Sequence, residues 1–118
     1  MTKISIITDT DSSLPFSVAE ALNIQQVPIS INFGDESFAS DVDIDDRRLF
    51  ERIDREGCLP TTAAPPPSAF ARAFKTAFEN GASSIVCICV SSKISTTYNS
   101  ALTAVCEEFP DRLITVID

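Results

Sequence analysis

The stretch SIVCICVSSKISTTYNS, residues 84–100, decides the fold. Its first part, SIVCICV (84–90), is a continuous apolar run rich in β-branched residues, the pattern of a strand buried on both faces of a parallel sheet. The part that follows carries the hydroxyls of Ser91, Ser92, Ser95, Thr96, Thr97, Tyr98 and Ser100 and leads into a helix expected from about Ser95 to Phe109. A strand that hands hydroxyls and amides to a helix N-terminus builds an anion site, because donors and helix dipole are aimed alike. The same residues have a plainer use, in which Ser92 or Ser95 caps the helix and the others face water.

Working outward, strands and helices alternate. KISIIT (3–8) reads as a strand that ends in the turn residues DTDSSLP. A short helix from Pro15 through Leu22 follows, with Phe16, Ala19 and Leu22 at helical spacing and Ser12 or Ser13 as N-cap. IQQVPISINF (24–33) meets the Gly-containing turn GDES before SFAS, which predicts a hairpin at a sheet edge, and Pro28 suits an edge or a strand start. DDRRLFERIDREG (45–57) is an amphipathic helix with Leu49, Phe50 and Ile53 on one face, Asp45 as cap and Gly57 as terminator. LPTTAAPPP (59–67) is a rigid, extended connector, since each proline fixes its own φ and restrains its predecessor. SAFARAFKTAFENG (68–81) spaces Phe70, Phe74 and Phe78 four apart, with Ser68 as its cap and Gly81 at its end, and RLITVID (112–118) is a last strand.

This alternation predicts an α/β fold: a mostly parallel sheet with helices on both faces and an attached antiparallel hairpin, built as one domain over residues 1–118. Ligands of such sheets collect beyond the carboxyl ends of the strands, which places DTDSS and SSKISTT on one rim.

Composition narrows the function. The 118 residues are 44% hydrophobic and 22% charged, ordinary for a globular domain. A net charge of −8 opposes phosphate backbones and anionic lipid surfaces, so nucleic acid is not an expected partner. The longest apolar run falls far short of a membrane span and MTKISIITDT lacks the features of a secretory leader, so the chain reads as cytoplasmic and not membrane-spanning. Cys58, Cys87, Cys89 and Cys106 form no C-x-x-C pair and there is no His, so no metal site is expected; Cys87 and Cys89 read as small core residues. Without His, Ser/His and Cys/His catalysis are excluded within this chain. With Gly34, Gly57 and Gly81 as the full set of glycines, there is no P-loop or dinucleotide fingerprint.

Three other motifs carry chemistry. TDTDSS places Asp9 and Asp11 just after the first strand, the D-x-D arrangement of aspartyl-phosphate phosphotransferases and phosphatases, in which one Asp attacks phosphorus and the other serves as acid/base. That enzyme reading needs Mg²⁺ and a cation, for which Lys93 is the obvious residue; turn and cap duty for both aspartates competes with it. SDVDIDD spaces Asp41, Asp43 and Asp45 like the start of a calcium loop, but Asp46 and Arg52 stand where Gly and Glu are needed, and the match fails. PTTAAPPP offers Thr61 and Thr62 from a stretch stiffened by prolines, and such neutral hydroxyls suit a weakly charged acid head group.

Four features in this order, ITDTDSSLP, VPISINFGDESFASDVDI, LPTTAAPPPSAF, and VSSKISTTYNSA with a closing VID, resemble the amino-terminal domain of the DegV family over essentially the whole chain. The resemblance implies a non-catalytic lipid-binding protein that holds a long-chain fatty acid between two domains, the second of which this chain lacks. Some members present the acid to a fatty acid kinase, whose catalytic subunit becomes an expected partner; no cofactor is expected. By the same resemblance Thr62 and Ser95 hydrogen-bond the carboxylate, with Thr61, Ser92 and Thr97 beside them. The tail then lies over apolar residues of the rim, a burial worth about 0.8 kcal/mol per methylene. The chain departs from the family pattern at Lys93 and Thr96, which stand at usual glycine positions.

Overall fold

The structure, a computed structural model, describes residues 2–118. Strand β1 (Ile4–Asp9) runs into a 3₁₀ turn at Thr10–Ser12 and helix α1 (Phe16–Ala21). Next come β2 (Gln25–Val27), β3 (Ser30–Phe33), β4 (Glu36–Ala39), α2 (Asp46–Glu56) and β5 (Thr61–Ala63). The chain continues with α3 (Pro67–Glu79), β6 (Ser84–Ile88), α4 (Thr97–Glu108) and β7 (Ile114–Ile117). Two sheets result: a parallel one in the order β2-β1-β6-β7 and an antiparallel one in the order β4-β3-β5.

The parallel sheet carries the main core. Ile7, Ile85, Cys87 and Cys89 point to one face, where α3 and α4 bury them under Phe70, Phe74, Ala101 and Ala104. The four-residue phenylalanine spacing of α3 does what its period implies: Phe70 and Phe74 are fully buried, and Phe74 meets Phe109 of the α4 end edge-on at 6.0 Å. Cys87 and Cys89 lie side by side with their sulfurs 3.9 Å apart. The Cys89 thiol and burial together push Cys87 far above the usual thiol range, so it stays a protonated core residue.

Strand order reverses direction at β1. The chain steps from β1 to β2 on one side and from β6 to β7 on the other. Right-handed crossovers then put α1 and α4 on opposite faces, consistent with Ala19, the buried residue of α1, lying outside the main cluster. The predicted α/β class with helices on both faces therefore stands. The reversal also marks a topological switch point between β1 and β6, the place where open α/β sheets bind ligands.

Several local expectations are corrected. IQQVPISINF breaks at Pro28, which has no amide for a ladder; β2 joins the parallel sheet and β3 pairs β4 across Gly34 and Asp35. The antiparallel part is thus a separate three-stranded sheet, packed on α2 through Ile31, Phe33, Ile44, Leu49 and Ile53, while Phe50 faces solvent. LPTTAAPPP is extended as expected, but Thr61–Ala63 also pairs with β3 as a third strand. SIVCICV is not sealed on both faces, since Ile88 is 43% exposed.

Caps differ too. Asp45 accepts from the Arg48 amide at 2.9 Å and Gly57 ends α2 in the left-handed region (φ 65), as expected. Neither Ser12 nor Ser13 caps α1: Pro15 holds that position and Ser12 instead accepts from the Leu14 amide. Ser68 lies inside α3, whose start is set by Pro66 and Pro67.

Candidate functional site

The rim beyond β1 and β6 is tied together by polar side chains. Asp9, the last residue of β1 and 1% exposed, accepts a hydrogen bond from the Val90 amide at 2.8 Å, joining the exits of the two strands at the switch point. Thr10 Oγ1 accepts from the Ile29 amide at 3.0 Å and holds the β2–β3 link against the same exit. Ser92 donates both its amide (2.7 Å) and its hydroxyl (2.6 Å) to the carboxylate of Asp118, just past β7. These two bonds, aided by the charge of Lys93, hold the Asp118 carboxyl below the usual aspartate range.

Within this frame Ser95 and Thr97 form a pair. Their hydroxyls are 2.8 Å apart, and Ser95 Oγ also accepts the Thr97 amide at 3.2 Å. Thr97 is fully buried and Ser95 half-buried. A buried hydroxyl must place its proton on an acceptor. If Thr97 donates to Ser95, the Ser95 oxygen is saturated as an acceptor and its own O–H is free to donate outward. The same spot lies at the N-terminus of α4, where orphan amides and the dipole favour negative charge. With the proton so placed, the arrangement would offer a hydroxyl donor and a positive helix end to a single small anion.

Thr61 and Thr62 lie on the second sheet. Thr62 pairs with Ile31 and Thr61 with Asn32, so their side chains emerge on opposite faces of β5, and both are exposed. A ligand on one face meets one of them. Of the five residues singled out in the sequence, Ser95 and Thr97 come together, Ser92 is committed to Asp118, and the two threonines are split between faces. Two residues organise the rim in ways the sequence reading did not assign: Asp9 stood there as half of the D-x-D pair, and Asp118 had no role. Asp9 acts as a strand-to-strand tie and Asp118 as an anchor for the loop.

Lys93 and Thr96 adapt without strain. Thr96 has φ −87 and ψ 3 and Lys93 is not in the positive-φ region, so the loop keeps conformations open to any L-residue. The D-x-D pair is poorly placed for phosphoryl transfer. Asp9 is spent on a backbone amide, while burial and the Asp9 charge push Asp11 above the usual aspartate range. Lys93 exerts its charge on Asp118 instead. A raised carboxyl disfavours the folded state when ionised, in full above its folded pKa and not at all below its unfolded value near 3.8. Asp11→Asn is thus expected to raise the melting temperature slightly at pH 7, with the gain fading as pH falls through that range. A scan of thermal melts from pH 7 to 3 checks this, and a gain that grows on acidification would contradict it.

Fold and rim together define a doubly wound α/β domain whose hydroxyl-bearing rim lies at the switch point of its parallel sheet. The chain belongs to the DegV family, whose model, described as an uncharacterised protein family, matches residues 3–118. A DegV domain-containing protein of Clostridium perfringens is 39% identical over 116 residues, 98% of this chain and 41% of that protein. A stearic-acid-binding protein of Eubacterium ventriosum superposes with a TM-score of 0.86 at 32% identity, covering 100% of this chain and 41% of that one. The fatty acid kinase (Fak) B3 protein of Streptococcus pneumoniae, loaded with linoleic acid, superposes with a TM-score of 0.76 at 29% identity, covering 99% of this chain and 42% of that one. The chain therefore spans about two-fifths of the length of the relatives it matches. Among the described residues no helix is long and apolar enough to cross a membrane.

Proposed function

We propose that this chain is the carboxylate-holding part of a cytoplasmic fatty-acid-binding protein that acts without catalysis of its own. The observation that carries the reading is the Ser95–Thr97 hydroxyl pair at the N-terminus of α4, with Thr97 buried and Ser95 half-buried, which leaves Ser95 as the hydroxyl of the pair that a ligand can reach. Two relatives of the same fold, by their descriptions, bind stearic acid or carry linoleic acid, and one of them is a fatty acid kinase component. Thr62 supplies the second donor from β5. Thr97 orients Ser95, Ser92 sets the loop, and Thr61 points away from the face that Thr62 serves. Beside the rim, a cleft of about 220 Å³ between α1 and residues 40–42, lined in part by Phe16, Ala19, Pro28 and Val42, offers apolar surface to part of the acyl chain. A second domain closes the other side of the lipid, and a fatty acid kinase catalytic subunit receives it.

The test is extraction of lipid from the denatured protein, purified gently with the polypeptide that accompanies this domain, followed by mass spectrometry. Long-chain fatty acid at near-stoichiometric level is expected. Ser95→Ala and Thr62→Ala each remove a hydrogen bond to a charged carboxylate, about 1.5–3 kcal/mol, or roughly tenfold to a hundredfold in affinity. Thr61→Ala should leave retention unchanged. Lipid-free wild-type protein, or equal loss from Thr61→Ala and Thr62→Ala, would sink the assignment.

A further inference from the structure

Most amides of the loop that joins β6 to α4 have partners within the chain. The Ile94 and Ser95 amides donate to the Ser91 carbonyl at 3.1 and 3.2 Å, the Lys93 amide to Ser91 Oγ at 3.2 Å and the Thr97 amide to Ser95 Oγ at 3.2 Å. Two more donate to carboxylates: that of Val90 to Asp9 at the exit of β1, and that of Ser92 to Asp118 at the exit of β7. The second is a double contact, because the Ser92 hydroxyl reaches the other Asp118 oxygen at 2.6 Å.

A loop that leads from a strand into a helix N-terminus is where open α/β sheets hold anions, with amide and hydroxyl donors aimed at the oxygens of the ligand. In this loop an anion is already seated, and it belongs to the chain. Asp118 is exposed, yet its two bonds to Ser92 hold its carboxyl below the usual aspartate range, so a charged group fills the seat at neutral pH. Its charge adds to those of Asp9 and Asp11, while Lys93 is the one cation in the segments 9–15, 28–29, 89–96 and 118 that follow the parallel strands. An outside anion beside Asp118 therefore meets a filled donor pair and like charge together. We propose that Asp118 is a specificity-determining residue: the chain's own carboxylate fills the Ser92 donor pair, denies that seat to an outside anion, and confines a ligand's acid group to the Ser95 end of the loop. The first two clauses stand on the hydrogen-bond geometry alone, and the third rests on the fatty-acid reading.

Amide chemical shifts of the chain under titration with inorganic phosphate test it. In the wild type the Ser92 amide is expected to stay unmoved at millimolar phosphate. Asp118→Ala is expected to show a saturable shift centred on Ser92, with phosphate bound at least about tenfold more tightly than by the wild type, the weight of one hydrogen bond to a charged group. Asp118→Asn keeps an oxygen on the Ser92 amide without the charge, and should bind phosphate more weakly than Asp118→Ala. A Ser92 amide that ignores phosphate in Asp118→Ala overturns the proposal, as does a wild-type response of the same strength. Equal binding by the Ala and Asn variants overturns it too, since charge alone would then be the barrier. Should the freed loop broaden the Ser92 signal, the melting temperature decides: phosphate raises it in Asp118→Ala and not in the wild type, and equal rises or none overturn the proposal. Stearic acid then separates the two readings. It is expected to move the Ser95 amide in the wild type and that of Ser92 as well in Asp118→Ala. A wild type indifferent to stearic acid sinks the fatty-acid reading and the confinement clause with it, while the phosphate result stands by itself.

Discussion

Phe74→Ala is expected to destabilise the chain by about 3–5 kcal/mol, the range for truncating a fully buried aromatic. The ring has no solvent exposure and sits where α3, α4 and the parallel sheet converge. Phe70 lies 6.1 Å away in a tilted arrangement and Phe109 6.0 Å away edge-on, so truncation loses area burial and two aromatic contacts together. The surrounding residues are held by a helix pair and a strand ladder, which limits how far the cavity can close. Domains of this size have a total stability of about 5–15 kcal/mol, so the variant should lose roughly a fifth of it or more and unfold at markedly lower urea concentration. Phe78→Ala should cost clearly less, because that ring is only half-buried and one face is covered by the Arg112 guanidinium at 3.6 Å. Equal midpoints for the two variants would contradict this account of the core.

The same contrast shows which parts of the fold are legible in sequence. The phenylalanines of α3 declare themselves because a four-residue apolar spacing has one physical meaning, a helix face, and the structure buries that face as the spacing implies. Strand β6 is legible for a similar reason. Strand β5 is not: Thr-Thr-Ala carries no alternation, and its partner β3 lies about thirty residues earlier, so only the pairing itself makes it a strand. The separate small sheet follows from that pairing and was invisible for the same cause. At the rim, the hydroxyl cluster is plain in sequence but its division of labour is not. Ser92 finds its acceptor 26 residues away in Asp118, and Ser95 is set apart from its neighbours by the complete burial of Thr97. Both are facts of three-dimensional packing with no local signature.

Asp9 supplies the sharpest division between a binding domain and an enzyme. Asp9→Ala removes the acceptor of the Val90 amide at the switch point and is expected to cost about 1.5–3 kcal/mol, the usual range for a hydrogen bond to a charged group. Asp9→Asn keeps a carbonyl oxygen in the same place and should recover part of that loss. Val90 opens the loop that carries Ser92 and Ser95, so freeing its amide loosens the segment that positions the proposed carboxylate donor. Hydrogen exchange at Val90 should accelerate in Asp9→Ala and less so in Asp9→Asn, and lipid retention should fall in the same order. A phosphotransferase using Asp9 as nucleophile predicts a different ranking. Both variants would then lose Mg²⁺-dependent phosphatase turnover alike, because an amide attacks phosphorus no better than a methyl group does. The graded response follows from Asp9 acting as a buried acceptor between two strand exits, whose carboxylate is occupied before any ligand arrives.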